Sequence, residues 1–246
     1  MVRADDVASR ASVRLVVGVL FVLASVGSGL CQAPETFSQA LSRHGIVLTK
    51  PSLIEALRNP DKEVRGLAAA ELAEWKATDS LPEILRAAAA ERNEPTKVNI
   101  AAAATWLGSA EGLGLLKEMC LDQTLDFYVR QNAARNVFDK RDHACFRAVA
   151  NMMLPSASSD SRIGALYLLS QLNDRTEEET GVVLNLLVGM LTDADLRVRL
   201  ESCEGLRWLK RPEAIAPLRN ALANEREDIV RQRMESTLNF LGKPRT

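Results

Sequence analysis

Asp61-Lys62-Glu63-Val64-Arg65-Gly66-Leu67-Ala68-Ala69-Ala70-Glu71-Leu72 decides the fold, because versions of it return along the chain. Six copies align on one basic or polar residue: Arg65, Asn99, Arg130, Arg162, Arg199 and Arg231. These anchors are spaced by 34, 31, 32, 37 and 32 residues. The residue before the anchor is Val64, Val98, Val129, Ser161, Val198 or Val230. Three residues after it stand Ala68, Ala102, Ala133, Ala165, Ser202 and Met234. Seven after it stand Leu72, Trp106, Val137, Leu169, Leu206 and Leu238. Positions −1, +3 and +7 share one face of a helix. Small residues at +3 let two helices approach closely, and large ones at +7 fill the space between layers.

An apolar segment precedes each anchored helix. These segments are Leu53–Leu57, Leu81–Ala90, Leu113–Leu121, Cys145–Leu154, Val182–Leu191 and Ile215–Leu222. Each unit therefore reads as helix, turn, helix. One such pair cannot bury both of its faces, whereas stacked pairs form a continuous core. The predicted fold is all-α, an α-solenoid of about six helical pairs.

The turns carry polar residues four and six positions before each anchor. At −4 these are Asp61, Pro95, Asp126, Ser158, Asp195 and Glu227, and at −6 Asn59, Asn93, Thr124, Ser156, Asp193 and Glu225. Several can accept backbone N–H bonds at a helix start, worth about 0.5–2 kcal/mol each. The anchor arginine can pair with an acid of its own or a neighbouring turn, which at an exposed site is worth ~0–1 kcal/mol.

The pattern Leu-x-x-x-Leu, then Asx-Pro-Asp-x-x-Val-Arg-x-x-Ala-Ala-x-x-Leu, resembles HEAT repeats. It is closest to the short HEAT-like type of phycobilin lyase-related proteins. Residues 53–72 carry it best (LIEALRNPDKEVRGLAAAEL), and 183–206 and 215–241 carry it well. Glu213-Ala214-Ile215-Ala216-Pro217-Leu218 resembles the family's first-helix start, and Ser80–Leu85 is a weaker copy. Two features depart from the pattern: Asn99 in place of arginine, and the Ser-rich insertion at 155–160. The resemblance implies a right-handed solenoid with the second helices on the concave side. The Trp/Leu-Gly/Tyr signature of tetratricopeptide units and the Thr-Pro-Leu-His of ankyrin units are absent.

Composition agrees with closely packed helices. Of 246 residues 47% are hydrophobic but only 4% aromatic, so the apolar content is aliphatic and alanine. Net charge is −1, and the first 33 residues, with Arg3, Arg10 and Arg14 against Asp5 and Asp6, leave −2 for the remainder. That balance offers no electrostatic case for nucleic acid.

Residues 1–31 read as a secretory signal or an N-terminal membrane anchor. Three arginines precede the apolar run Leu15–Val26, and the small residues Gly27, Ser28 and Gly29 follow. The run is short for a membrane span, which needs about 20 residues. Cleavage after Ser28 or Gly29 fits, and Ser28-Gly29-Leu30-Cys31 loosely resembles a bacterial lipoprotein box except at Leu30. The expectation is a bacterial protein that is exported to the periplasm or beyond, or tethered through this segment alone. Residues 34–49 follow as a capping segment. Phe37, Ala40, Leu41 and His44 stand there at helical spacing and Gly45 ends the helix. Residues 50–246 form the repeat domain.

Chemistry is sparse. No Gly-x-Ser-x-Gly, phosphate loop or dinucleotide fingerprint occurs, and Gly112-Leu113-Gly114 reads as a turn. HEAT-like hydroxylases bind iron through His-Glu pairs, but here His44 precedes Gly45 and His143 precedes Ala144. Glu177-Glu178-Glu179 after Thr176 reads as a helix cap. Cys120, Cys145 and Cys203 leave two readings open, buried thiols or one disulfide plus a free thiol. The sequence therefore predicts no catalytic group, metal or cofactor. A bilin lyase-related enzyme or accessory subunit that binds a small ligand is the alternative that the resemblance implies.

Positions +5 and +9 of the second helices point away from the core face. In the last three units they read Tyr167/Gln171, Glu204/Trp208 and Ser236/Phe240. Tyr167, Trp208 and Phe240, edged by Glu201 and Glu204, are the candidate surface for a protein or peptide partner, since aromatics dominate binding hot spots. The competing reading packs these rings against the adjacent layer. Trp75 and Trp106 read as core.

Overall fold

Polar side chains start the helices where the turn pattern places them. In a computed structural model, which describes residues 35–243, the Asp61 carboxylate accepts the Glu63 N–H at 2.9 Å and opens α3 (Lys62–Glu74). Asp126 does the same for α7 (Phe127–Phe138), Ser158 for α9 (Ser159–Ser170) and Asp195 for α11 (Leu196–Leu209). Asn93 opens α5 (Glu94–Trp106), while α13 (Asp228–Leu241) starts after Glu227 without a side-chain cap.

Each of these second helices pairs with the first helix of its layer. The first helices are α2 (Lys50–Ala56), α4 (Leu81–Ala90), α6 (Ala110–Leu121), α8 (Phe146–Asn151), α10 (Glu177–Met190) and α12 (Ile215–Asn224). A short helix, α1 (Phe37–Arg43), precedes them. The described residues thus form six stacked helical pairs without strands, an all-α solenoid. The predicted leader over 1–31 lies outside the described residues.

α1 packs on α3, burying Leu41, and the Ser38 hydroxyl donates to the buried Glu71 carboxylate at 2.6 Å. Gly45 follows the helix at φ +73°, the left-handed geometry that a C-terminal stop favours. The −1, +3 and +7 residues are buried as predicted in layers one, three, four and five: Val64, Ala68 and Leu72, for example, or Val198, Ser202 and Leu206.

Layer two departs from the sequence alignment. In every layer the anchor N–H donates to the carbonyl of the cap residue four positions earlier: Arg65 to Asp61, Arg130 to Asp126, Arg199 to Asp195. In layer two this bond runs from Lys97 to Asn93. The anchor is therefore Lys97, not Asn99. Pro95 sits in the first turn, where no N–H is needed, so the helix begins at Glu94, two residues earlier than the Val-Asn imitation of Val-Arg would place its start. The corrected core triplet is Thr96, Ile100 and Ala104, all buried.

That shift moves Trp106 from the core to position +9, where it is 43% exposed. Trp75 is equally exposed, because it stands at the C-cap of α3, beyond the last core turn. Both tryptophans correct the core reading. Gly112–Gly114 also differ, lying inside α6 rather than in a turn. A Cβ on Gly112 would sit 2.9 Å from the Ala101 carbonyl oxygen, so glycine lets α6 rest on the backbone of α5.

The anchor arginines join layers, and they do so from partly buried positions. Arg65 donates to Glu91 through Nε at 2.6 Å and Nη2 at 2.8 Å, and through Nη1 to the Asn59 carbonyl of its own turn at 2.8 Å. Arg199 repeats this with Glu225 and the Asp193 carbonyl, and Arg162 reaches Asp193 at 2.8 Å. In the corrected register each acid stands six residues before the next anchor. The expectation of a weak exposed pair therefore fails: the Glu91 side chain is 2% exposed and that of Asp193 8%.

The third and fourth layers are tied differently. Cys120, in the last turn of α6, and Cys145, at the start of α8, form a disulfide. Cys203 is a free thiol, and burial pushes its pKa up to about 12.

Candidate functional site

Successive second helices pack on one another along the stack, while first helices touch their neighbours far less. We call this closely packed row the inner side, and its positions +2, +5 and +9 point away from the buried −1, +3 and +7 face. With layer two corrected, position +9 reads Glu74, Trp106, Asp139, Gln171, Trp208 and Phe240.

The five candidate residues occupy three consecutive inner helices, α9, α11 and α13, and fall into two contact groups, Tyr167 with Glu201 and Trp208, and Glu204 linked through Arg207 to Phe240. Tyr167 lies with its ring centroid 5.6 Å from that of Trp208, the planes tilted by 49°. Its hydroxyl donates to Glu201 Oε2 at 2.5 Å. Burial, and then the bond to Glu201, push the phenol up to about 12. Glu204 accepts from Arg233 Nη1 at 3.3 Å and lies 3.8 Å from Arg207 Nε. The Arg207 guanidinium sits 5.0 Å from the Phe240 ring centroid.

Tyr167 is half-buried, while Trp208 and Phe240 are each 38% exposed. Tyr167 packs on Trp208 and Phe240 lies beside Arg207, and each ring keeps part of its surface exposed. The phenol is committed to Glu201, so Tyr167 supplies ring surface rather than a free hydroxyl.

Sequence reasoning missed Arg207, Arg233 and Trp106 as members of this face. Arg207 and Arg233 carried no aromatic signal, and their roles arise from interlayer contact. Trp106 was legible only once Asn93 was recognised as the cap. The Lys140 ammonium lies 4.8 Å from its ring centroid, a cation–π contact on the same helical row.

The histidines serve joints between segments. His143 Nδ1 lies 2.9 Å from Glu179 Oε1, and Nε2 lies 3.2 Å from Asp174 Oδ1. Glu179 also completes the cap at Thr176, as the sequence predicts for that acidic run. His44 lies 3.7 Å from Asp61. Among the described residues no group of three or more His, Cys, Asp or Glu side chains is placed to hold a metal ion.

The stacked pairs and the inner aromatic row define an α-helical repeat protein. The model of HEAT repeats matches residues 51–137 and 147–239, and the chain belongs to that family. Similar solved structures include an engineered protein from the Northeast Structural Genomics Consortium, at 19% identity and TM-score 0.45, covering 77% of this chain and 94% of that one. Human deoxyhypusine hydroxylase with glycerol is similar at 22% identity and TM-score 0.40, covering 83% of this chain and 76% of that one. The complex of CpcE and CpcF of phycocyanin lyase from Nostoc sp. is similar at 18% identity and TM-score 0.37, covering 89% and 100%. Among curated proteins none matches the sequence.

Proposed function

We propose that this protein is a non-catalytic scaffold that holds another polypeptide against the inner face of its last three layers. The observation that carries the reading is the Tyr167–Trp208–Phe240 row, in which Glu201 holds Tyr167, Tyr167 packs on Trp208 and Arg207 lies over Phe240, while Trp208 and Phe240 stay partly exposed. Rings fixed before binding lose little entropy when a partner docks, and that is what a hot spot requires. The near-neutral body favours a polypeptide over nucleic acid.

The same proposal places the protein outside the cytoplasm. The basic-then-apolar segment before residue 31 supports this. So does Cys120–Cys145, since disulfides persist in oxidising compartments.

A photo-crosslinking residue at Trp208 or Phe240, introduced in the cell of origin, tests the binding face. The expected result is one discrete crosslinked protein, lost from the Trp208→Ala/Phe240→Ala background when the crosslinker stands at Tyr167. An unchanged crosslink there would overturn the assignment. Fractionation with N-terminal sequencing tests the compartment, and a cytoplasmic chain that starts at Met1 or Val2 would refute export.

A further inference from the structure

Three of the joints between layers share one device, in which an anchor arginine grips a carboxylate six residues before the next anchor: Arg65–Glu91, Arg162–Asp193 and Arg199–Glu225. The joint between layers three and four has the arginine without the acid. Arg130 is its anchor, and Ser156 stands where the carboxylate belongs. Arg130 Nε reaches the Cys120 carbonyl at 3.4 Å, and its guanidinium makes no ion pair among the described residues. Asp122 lies near enough to feel its charge, but that carboxylate accepts the hydroxyl and N–H of Thr124.

Beside Arg130 and Ser156 a cleft opens. Arg130 and Ser156 both line it, within a volume of about 660 Å³. Gln123, Asn151 and Arg147 add polar groups, and no acidic residue lines the cleft. Arg147 pairs with Glu178 at 3.3 Å in an exposed contact worth ~0–1 kcal/mol, so it can turn to a ligand. Leu121 and Leu154 supply apolar wall. The volume falls within the range of small-ligand pockets, about 300–1,000 Å³.

We infer that this cleft is a binding site for a carboxylate on a short apolar stem, which replaces from outside the acid absent at Ser156. The three sister joints argue for carboxylate over other anions, because that group fills the equivalent place in each. The Cys120–Cys145 bond holds layers three and four together beside the cleft without the usual ion pair. The inference is independent of the aromatic row, which lies on the other helix ends of layers four to six.

Calorimetric titration of the full chain tests it with two probes: glutarate, and the peptide acetyl-Gly-Gly-Glu-amide. At least one binds saturably, one per chain. Glutarate alone points to a free organic acid, and the peptide alone to an acidic polypeptide side chain. Arg130→Gln weakens binding by about tenfold or more, the loss of a charge-assisted pair. Ser156→Glu supplies the acid internally, so it abolishes binding while the melting temperature holds or rises, which separates a filled site from a broken fold. Failure of both probes to bind in the millimolar range, or equal binding by wild type and both variants, overturns the proposal.

Discussion

Arg65 and Glu91, 26 positions apart, are joined by two hydrogen bonds of 2.6 and 2.8 Å across the first interlayer joint. Glu91 at the same time accepts the N–H groups of Arg92 and Asn93, at 2.9 and 2.8 Å. One carboxylate thus shapes its own turn and docks it on the layer before. With its charge buried, the pair acts chiefly on register: either partner left alone is costly.

Arg65→Ala should therefore destabilise the first layers by about 3–5 kcal/mol, the usual cost of stranding a buried charge. Replacing Arg65 and Glu91 together by apolar residues should cost far less. Urea unfolding of the three variants checks this, and equal losses would contradict it.

The same pair sets an acid limit. The bond to Arg65 holds the Glu91 carboxyl below the usual carboxylate range, against the opposing effect of burial. A depressed folded pKa adds stability that is full above the unfolded value, about 4.3, and lost as pH falls through the folded one. The Glu91→Gln variant should be less stable at neutral pH and lose less on acidification than wild type, as read by unfolding at stepped pH.

His143 works in the opposite direction. Its bond to Glu179 raises its pKa, burial opposes this, and Asp174 adds to the rise. A raised folded pKa gives stability that is full below the unfolded value, about 6.5, and lost as pH rises through the folded one. NMR titration should place the His143 transition above that of a free imidazole, and Glu179→Gln should lower it.

Reducing Cys120–Cys145 should cost about 2–5 kcal/mol, seen as a lower melting temperature in dithiothreitol. Cys203 is buried and its thiol stays protonated, so the native protein should resist alkylation until it unfolds.

The corrected register of layer two has its own test. Ile100→Ala should cost about 2–5 kcal/mol, because Ile100 is fully buried. Trp106→Ala should cost less despite the larger side chain, since Trp106 is 43% exposed.

By itself the sequence determined the all-helical repeat, the turn caps at Asp61, Asp126, Ser158 and Asp195, and the core triplets of most layers. Those features depend on residues within about two helical turns of each other, where backbone geometry decides who meets whom. The inner positions of Tyr167, Trp208 and Phe240 followed from the same phase. Layer two defeated the reading because Val98-Asn99 imitates Val-Arg locally, and only the bond from Lys97 to Asn93 reveals where the helix begins. The partner of each arginine, the cysteine pair, the exposure of Trp75 and Trp106 and the cleft beside Arg130 were decided by tertiary structure. Each is a meeting of residues from different turns or layers, or its absence, and stacking creates that proximity where local periodicity cannot.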